Sequence, residues 1–305
     1  MDGILTPKKN HLLQNNINSK IMKRSYKYIA FAFAIILCSC NKEVMFDITE
    51  TQVEISANII PCVLTRVTDD GTSFSANDQI KVQNVNRTTN NIATYTYSNG
   101  NWNTSDKLYW GVQSENTFKA CYPATAEYDL FTIPADQTTG NATADWMTAT
   151  TTASRKTDPI QLSFNHNLTK ITVTIESWNN EYTENERVAS LLELHSLSSV
   201  MTNGTTLSGD NQPQWVKANV KEENKSFVAI VAPGKYSSAS NIMQVYVNGS
   251  TTPLMVKTTS ELTLEAGKAY SFKLTVGKNL ATISSTVTVG DWGNVDLDNQ
   301  DAAQQ

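Results

Sequence analysis

Few side chains in this sequence carry reactive chemistry: it holds 3 His and 4 Cys in 305 residues. His166 and His195 are the histidines beyond the leader. His166 sits in alternating apolar text, Leu162, Phe164, Leu168, which favours a hydrogen-bonded structural role. No serine is spaced to suggest a Ser–His–Asp triad. Asp291, Asp296, Asp298 and Asp301 gather near the end. The central Gly and closing Glu of an EF-hand loop are missing, so a solvated acidic tail is expected instead. Beyond Cys40 no cysteines fall at CxxC spacing, and no Gly-rich phosphate cradle occurs. The expectation is a protein that is not an enzyme, with no catalytic residues, no metal and no cofactor. Six tryptophans remain. Most belong in a core, but Trp102 beside a turn and Trp146 in a loop could offer a flat face to sugar rings. Cys62 and Cys121 are open to two readings, a disulfide or two small buried apolar side chains.

The elements that would position these residues read as β-strands. Val53, Ile55 and Ala57 alternate with Glu54 and Ser56, and Phe74 precedes a strand through Ile80 and Val82. Ile92 to Tyr97 alternates, and Asn99-Gly100 closes a hairpin whose return strand carries Trp102. Lys107–Trp110 and Thr117–Tyr122 follow as strands. The Thr/Ser-rich stretch 149–159 reads as a polar linker. Beyond it, Leu162 to Ile175, Arg187–Leu194, Phe227–Val231, Ile242–Val247, Leu254–Val256, Ala269–Val276 and Thr282–Val289 continue the series. Strands at this spacing, with turn residues between them, make an all-β chain of two tandem β-sandwiches. The boundaries expected are 1–39 for a leader, 40–158 for the first domain and 159–305 for the second.

The leader sets the compartment. From Met22, taken as the true start, Lys23, Arg24 and Lys27 precede an apolar run from Tyr28 to Cys38. A basic start and a short apolar stretch make a secretory signal, since a membrane span needs roughly 20 apolar residues. The ending Leu37-Cys38-Ser39-Cys40 resembles the lipobox of bacterial lipoproteins, in which cleavage precedes a lipid-bearing cysteine. The small Ser39 places that cut between Ser39 and Cys40. Loss of residues 1–39 removes six Lys or Arg and one Asp from totals of 24 and 29, leaving a body of net charge -10. Such a body offers no basic surface for nucleic acid. Lipid on Cys40 would hold it to the membrane, because each buried methylene contributes roughly 0.8 kcal/mol.

Seven motifs in order then carry a resemblance. They are the lipobox, Thr65-Arg66-Val67, Phe74 to Val82, Leu108-Tyr109-Trp110, Phe118 to Pro123, Phe164 to Ile171, and Ala266 to Phe272. The chain resembles the fimbrillin-like (Mfa-like and FimA-like) lipoproteins of Bacteroides and relatives. The resemblance implies two transthyretin-like sandwiches, export as an outer-membrane lipoprotein, and assembly with other fimbrial subunits by strand donation. It implies a proteolytic cut between Arg66 and Val67 that releases the first strand, Val53 to Leu64. The donor would be Thr282 to Val289, with Trp292 behind it. The short acidic tail makes a poor hydrophobic donor, which favours a tip, accessory or anchor subunit over a shaft subunit. The alternative is a non-polymerising surface lipoprotein that binds glycan or host protein.

Overall fold

The computed structural model describes residues 50–60, 73–157, 159–284 and 287–292. Among these, twenty-two strands and three short 3-10 turns occur, with no α-helix. In the first half the strands are β1 (Ile55–Ile59), β2 (Gln79–Asn84), β3 (Ile92–Ser98), β4 (Asn101–Asn103), β5 (Glu115–Tyr122), β6 (Leu130–Thr132), β7 (Met147–Ser154) and β8 (Ile160–His166). Then come β9 (Thr169–Trp178), β10 (Ala189–Leu197), β11 (Ser199–Thr202), β12 (Leu207–Gly209), β13 (Pro213–Lys217), β14 (Asn219–Glu222) and β15 (Ser226–Val231). The last are β16 (Gly234–Tyr236), β17 (Asn241–Val247), β18 (Leu254–Lys257), β19 (Leu262–Leu264), β20 (Lys268–Val276), β21 (Ala281–Ile283) and β22 (Thr288–Asp291).

Period-two alternation builds the first sheet, in the order β1-β8-β7-β5-β2-β3-β4. In β8, Ile160, Leu162, Phe164 and His166 are buried while Gln161, Ser163 and Asn165 face out. In β2, Ile80, Val82 and Asn84 point inward. Every pairing is antiparallel except that of β1 with β8. The β3–β4 turn is Asn99-Gly100, with φ of 52° and 80°. Two consecutive positive φ values are what a tight hairpin demands, and Asn-Gly tolerates them.

Two sequence expectations change here. The stretch taken as a linker is β7, which pairs with β5 from Tyr122↔Met147 to Glu115↔Ser154. Its threonines are β-branched strand formers, and its alanines turn inward against bulkier neighbours. β8, placed beyond the 158/159 boundary, belongs to this same sheet, and its Ile160, Leu162 and Phe164 join Val53, Phe118 and Trp110 in the first core.

Past His166 a second core forms between two larger sheets. One runs β13-β10-β17-β18; the other runs β14-β15-β9-β20-β21, with β22 also on β20. Ile171, Val173, Leu192, Leu194, Met243, Phe227, Phe272 and Leu274 fill the space between them. Of the expected strand Arg187–Leu194, Ala189 onward forms β10, which extends to Leu197, while Arg187 caps the preceding 3-10 turn. Two smaller sheets, β12-β11-β6 and β16-β19, complete the set.

The segment after β5 ties the two cores together. Phe131, Ile133 and Trp146 pack into the second core although they precede β7. Buried Gln137 acts as a substitute strand: its Nε2 donates to Ile230 O at 2.7 Å and its Oε1 accepts from Ile230 N at 2.9 Å. β14 pairs with β15 only as far as Val228, and beyond it the Ile230 backbone is satisfied by this one side chain.

Candidate assembly site at the first strand

The first strand is held in two stages. Trp110 N donates to Thr51 O at 3.2 Å and Val53 N donates to Leu108 O at 2.9 Å, so the chain enters beside Leu108–Trp110. That segment was expected to be a strand, but among the described residues its only ladder contact is a single antiparallel bridge, Gln52↔Tyr109. The chain then moves onto β8: Ile160 N donates to Glu54 O at 2.9 Å, and Ile55–Ile59 runs parallel to Ile160–Phe164. Ile60 N closes the ladder on Phe164 O at 2.8 Å. Even-numbered residues thus face β8, and the backbone groups of Ile55, Ala57 and Ile59 turn to the opposite edge.

Val53, Ile55 and Ile59 are buried in the first core, and Tyr95 Oη donates to Val53 O at 2.7 Å. Burying three side chains of this size contributes about 4–9 kcal/mol. A whole domain is stable by only about 5–15 kcal/mol. The strand is therefore a large share of what keeps the first sheet folded, although it lies at the sheet edge.

The receiving segment is pinned from below by two buried asparagines. Asn84 Nδ2 donates to Tyr109 O at 3.0 Å and to Asn116 Oδ1 at 2.8 Å. Asn116 Oδ1 also accepts from Gly111 N, and Arg87 donates to Trp110 O at 2.7 Å. Removing one partner leaves buried donors without acceptors, so Asn116→Leu is expected to cost about 1–3 kcal/mol in urea unfolding. It should also speed amide exchange at Val53. Sequence inspection missed this pair; the clue was Asn84 itself, a polar residue at the inward position after Ile80 and Val82.

The other predicted residues scatter. Ser39, Cys40, Cys62, Arg66 and Val67 lie outside the described residues. Cys121, on β5, is buried and free, with its thiol against Ala126 O at 3.3 Å and its pKa pushed up to about 11 by burial. Such a thiol is unreactive at neutral pH.

Trp146 is no ligand platform. It is 0% exposed, stacked on Phe131 at 5.6 Å, and its Nε1 donates to Glu127 O at 3.2 Å. The 3-10 turn Ala142–Ala144 directs it inward where the sequence suggested a surface loop. Trp102 is half-buried on β4, edge-on to Phe74 at 4.9 Å and tilted against Tyr97 at 5.1 Å. Its Nε1 is buried with no acceptor among the described residues.

Both histidines have structural partners. His166 Nδ1 lies 2.7 Å from Asp145 Oδ1, and its ring stacks on Trp292 at 4.2 Å. His195 Nδ1 lies 3.2 Å from Tyr236 Oη, and burial lowers its pKa below 6.5. A histidine whose folded pKa is depressed binds its proton more tightly in the unfolded chain. The stability it supports is present above pH 6.5 and is lost as pH falls through the folded value. The melting temperature should therefore drop on acidification from pH 7 toward 5, and less so in His195→Gln. Asp210 acts in a lower window: hydrogen bonds from Ser198, Gln212 and Ser199 hold its pKa to about 2.

Asp291 pairs with Lys268 at 2.6 Å, and Asp296, Asp298 and Asp301 lie outside the described residues. No group of three or more His, Cys, Asp or Glu able to hold a metal occurs among the described residues. The expected donor segment is engaged within its own sheet: Ile283 is opposite Leu274, and Val289 is opposite Tyr270 on β20.

The described residues thus define an all-β protein of β-sandwich type whose first strand lies at a sheet edge, parallel to β8. A family model described as Fimbrillin-like matches residues 65–292, and the chain belongs to that family. Membership carries a fimbrial or adhesion role at the cell surface, a non-enzymatic kind of protein. No curated protein matches. Among solved structures, the chain is similar to a candidate cell adhesion protein from Bacteroides uniformis, at 19% identity and TM-score 0.57, over 80% of this chain and 99% of the other. A second, from Bacteroides ovatus, has 18% identity and TM-score 0.54, over 81% and 99%. At these identities the likeness is one of fold.

Proposed function

We propose that this chain is a fimbrial subunit, exported as a lipoprotein on Cys40 and assembled at the outer membrane by strand exchange at β1. The observation that carries the reading is the seat of Thr51–Ile60. A strand at a sheet edge, followed within six residues by Arg66, can be cut free without touching the rest of the sheet. Its departure leaves the β8 edge and an apolar trough, which an extended segment of another subunit satisfies. The two cores correspond to two transthyretin-like sandwiches. Their junction lies just beyond His166 rather than at 158/159, and the leader ends at Ser39.

The engagement of Ile283 and Val289 with their own β20 favours a tip, accessory or anchor subunit, whose last strand stays at home. The same engagement leaves room for a second reading, a non-polymerising surface lipoprotein that captures glycan or host protein.

Mass spectrometry of the native surface protein tests the proposal. A chain beginning at Val67 supports strand exchange, whereas a mature chain that still begins at lipid-bearing Cys40 overturns the maturation step.

A further inference from the structure

The seat of the first strand is not filled by its occupant. A groove of about 640 Å³ runs along β1 from Gln52 to Ala57, and β4, the opposite edge of the same sheet, lines its far side with Gly100–Thr104. Tyr95, Tyr97 and Trp102 also line it. Along the strand the inward positions read Val53, Ile55, Ala57, Ile59. Three of these are buried, while Ala57 packs only partly against the first core and borders the groove. The smallest inward side chain thus stands beside this unfilled volume.

Two further observations agree. Trp102, across the groove, keeps its indole N–H buried without an acceptor among the described residues. The strand pairs parallel to β8, the weaker of the two ladder geometries per residue.

We propose that the resident strand underfills its groove at Ala57, and that the strand lent by a partner subunit carries a larger apolar side chain at that position. This rests on the strand-exchange reading above and names its partner's chemistry. That partner is an extended segment with apolar residues at alternate positions, all four of them bulky, where the resident strand has three. Exchange then runs downhill because the newcomer removes more apolar surface from water than the strand it replaces.

The test uses the intact chain. Ala57→Val and Ala57→Leu should each raise the melting temperature, Leu by about 2–4 °C. After cleavage at Arg66 they should retain the first strand roughly fivefold longer than the parent does. Lowered melting temperatures in both variants would mean that the space cannot accept a side chain, and would overturn the inference. The melting result does not depend on assembly. If both variants are stabilised while cleaved parent protein never exchanges its strand, the strand-exchange reading fails and the underfilled groove stands.

Discussion

Protein cut after Arg66 and freed of its first strand is expected to pass from monomer into a ladder of associated species, while Arg66→Ala protein given the same protease stays monomeric. The reason is the size of what leaves. Val53, Ile55 and Ile59 take about 4–9 kcal/mol of burial with them. The backbone of β8 from Ile160 to Phe164 loses its only partner on that side. Water can satisfy those N–H and C=O groups, but it cannot restore the apolar contacts. The cut body must therefore capture a strand, aggregate or melt. Size-exclusion chromatography with unheated gel electrophoresis separates these fates. Excess synthetic peptide spanning Thr51–Ile60 should compete with association and return the monomer. A cut protein that sheds its strand yet remains monomeric and as stable as the parent would sink the assembly reading.

The second large effect is Trp146→Ala, which should cost about 3–5 kcal/mol in denaturant unfolding. Trp146 is fully enclosed, stacks on Phe131, and spends its indole N–H on Glu127 O. It belongs to the second core although it lies in sequence between two strands of the first half. Losing it leaves a void that neither sheet can collapse into. Trp102→Ala should cost less than half as much, because that ring is only half-buried on a three-residue edge strand. Equal costs for the two variants would contradict this partition. A glycan interaction that survives in folded Trp146→Ala protein would agree with it.

Local pattern carried most of the strand positions. Ile80-Lys81-Val82, Ile160 to Phe164 and the Asn99-Gly100 turn encode their geometry within a few residues, through alternation and positive φ. What could not be read locally was the partnership of strands far apart in the chain. Asn58 and Ser163, hydrogen-bonded at 3.2 Å, lie 105 residues apart, and no spacing rule announces that β1 returns parallel to β8. β7 was obscured for a different reason. Composition flags threonine as polar and linker-like, whereas its β-branched carbon suits a pleated surface with one wet face.

The candidate site was legible in its first strand and illegible in its support. Val53, Ile55 and Ala57 stood out by alternation. Asn84, Asn116 and Tyr95, which hold the segment beside that strand or the strand itself, gave no motif. Their importance comes from desolvation, and sequence does not display that.

The glutamine beside β15 shortens the border that a neighbouring molecule could lengthen. By capping Ile230 past the end of β14 with an amide from its own chain, the protein leaves that run of β15 nothing to offer an added strand, while β13, β14 and β18 still end their sheets. An outside ribbon would have to displace this amide first, so β15 is closed to augmentation at Ile230.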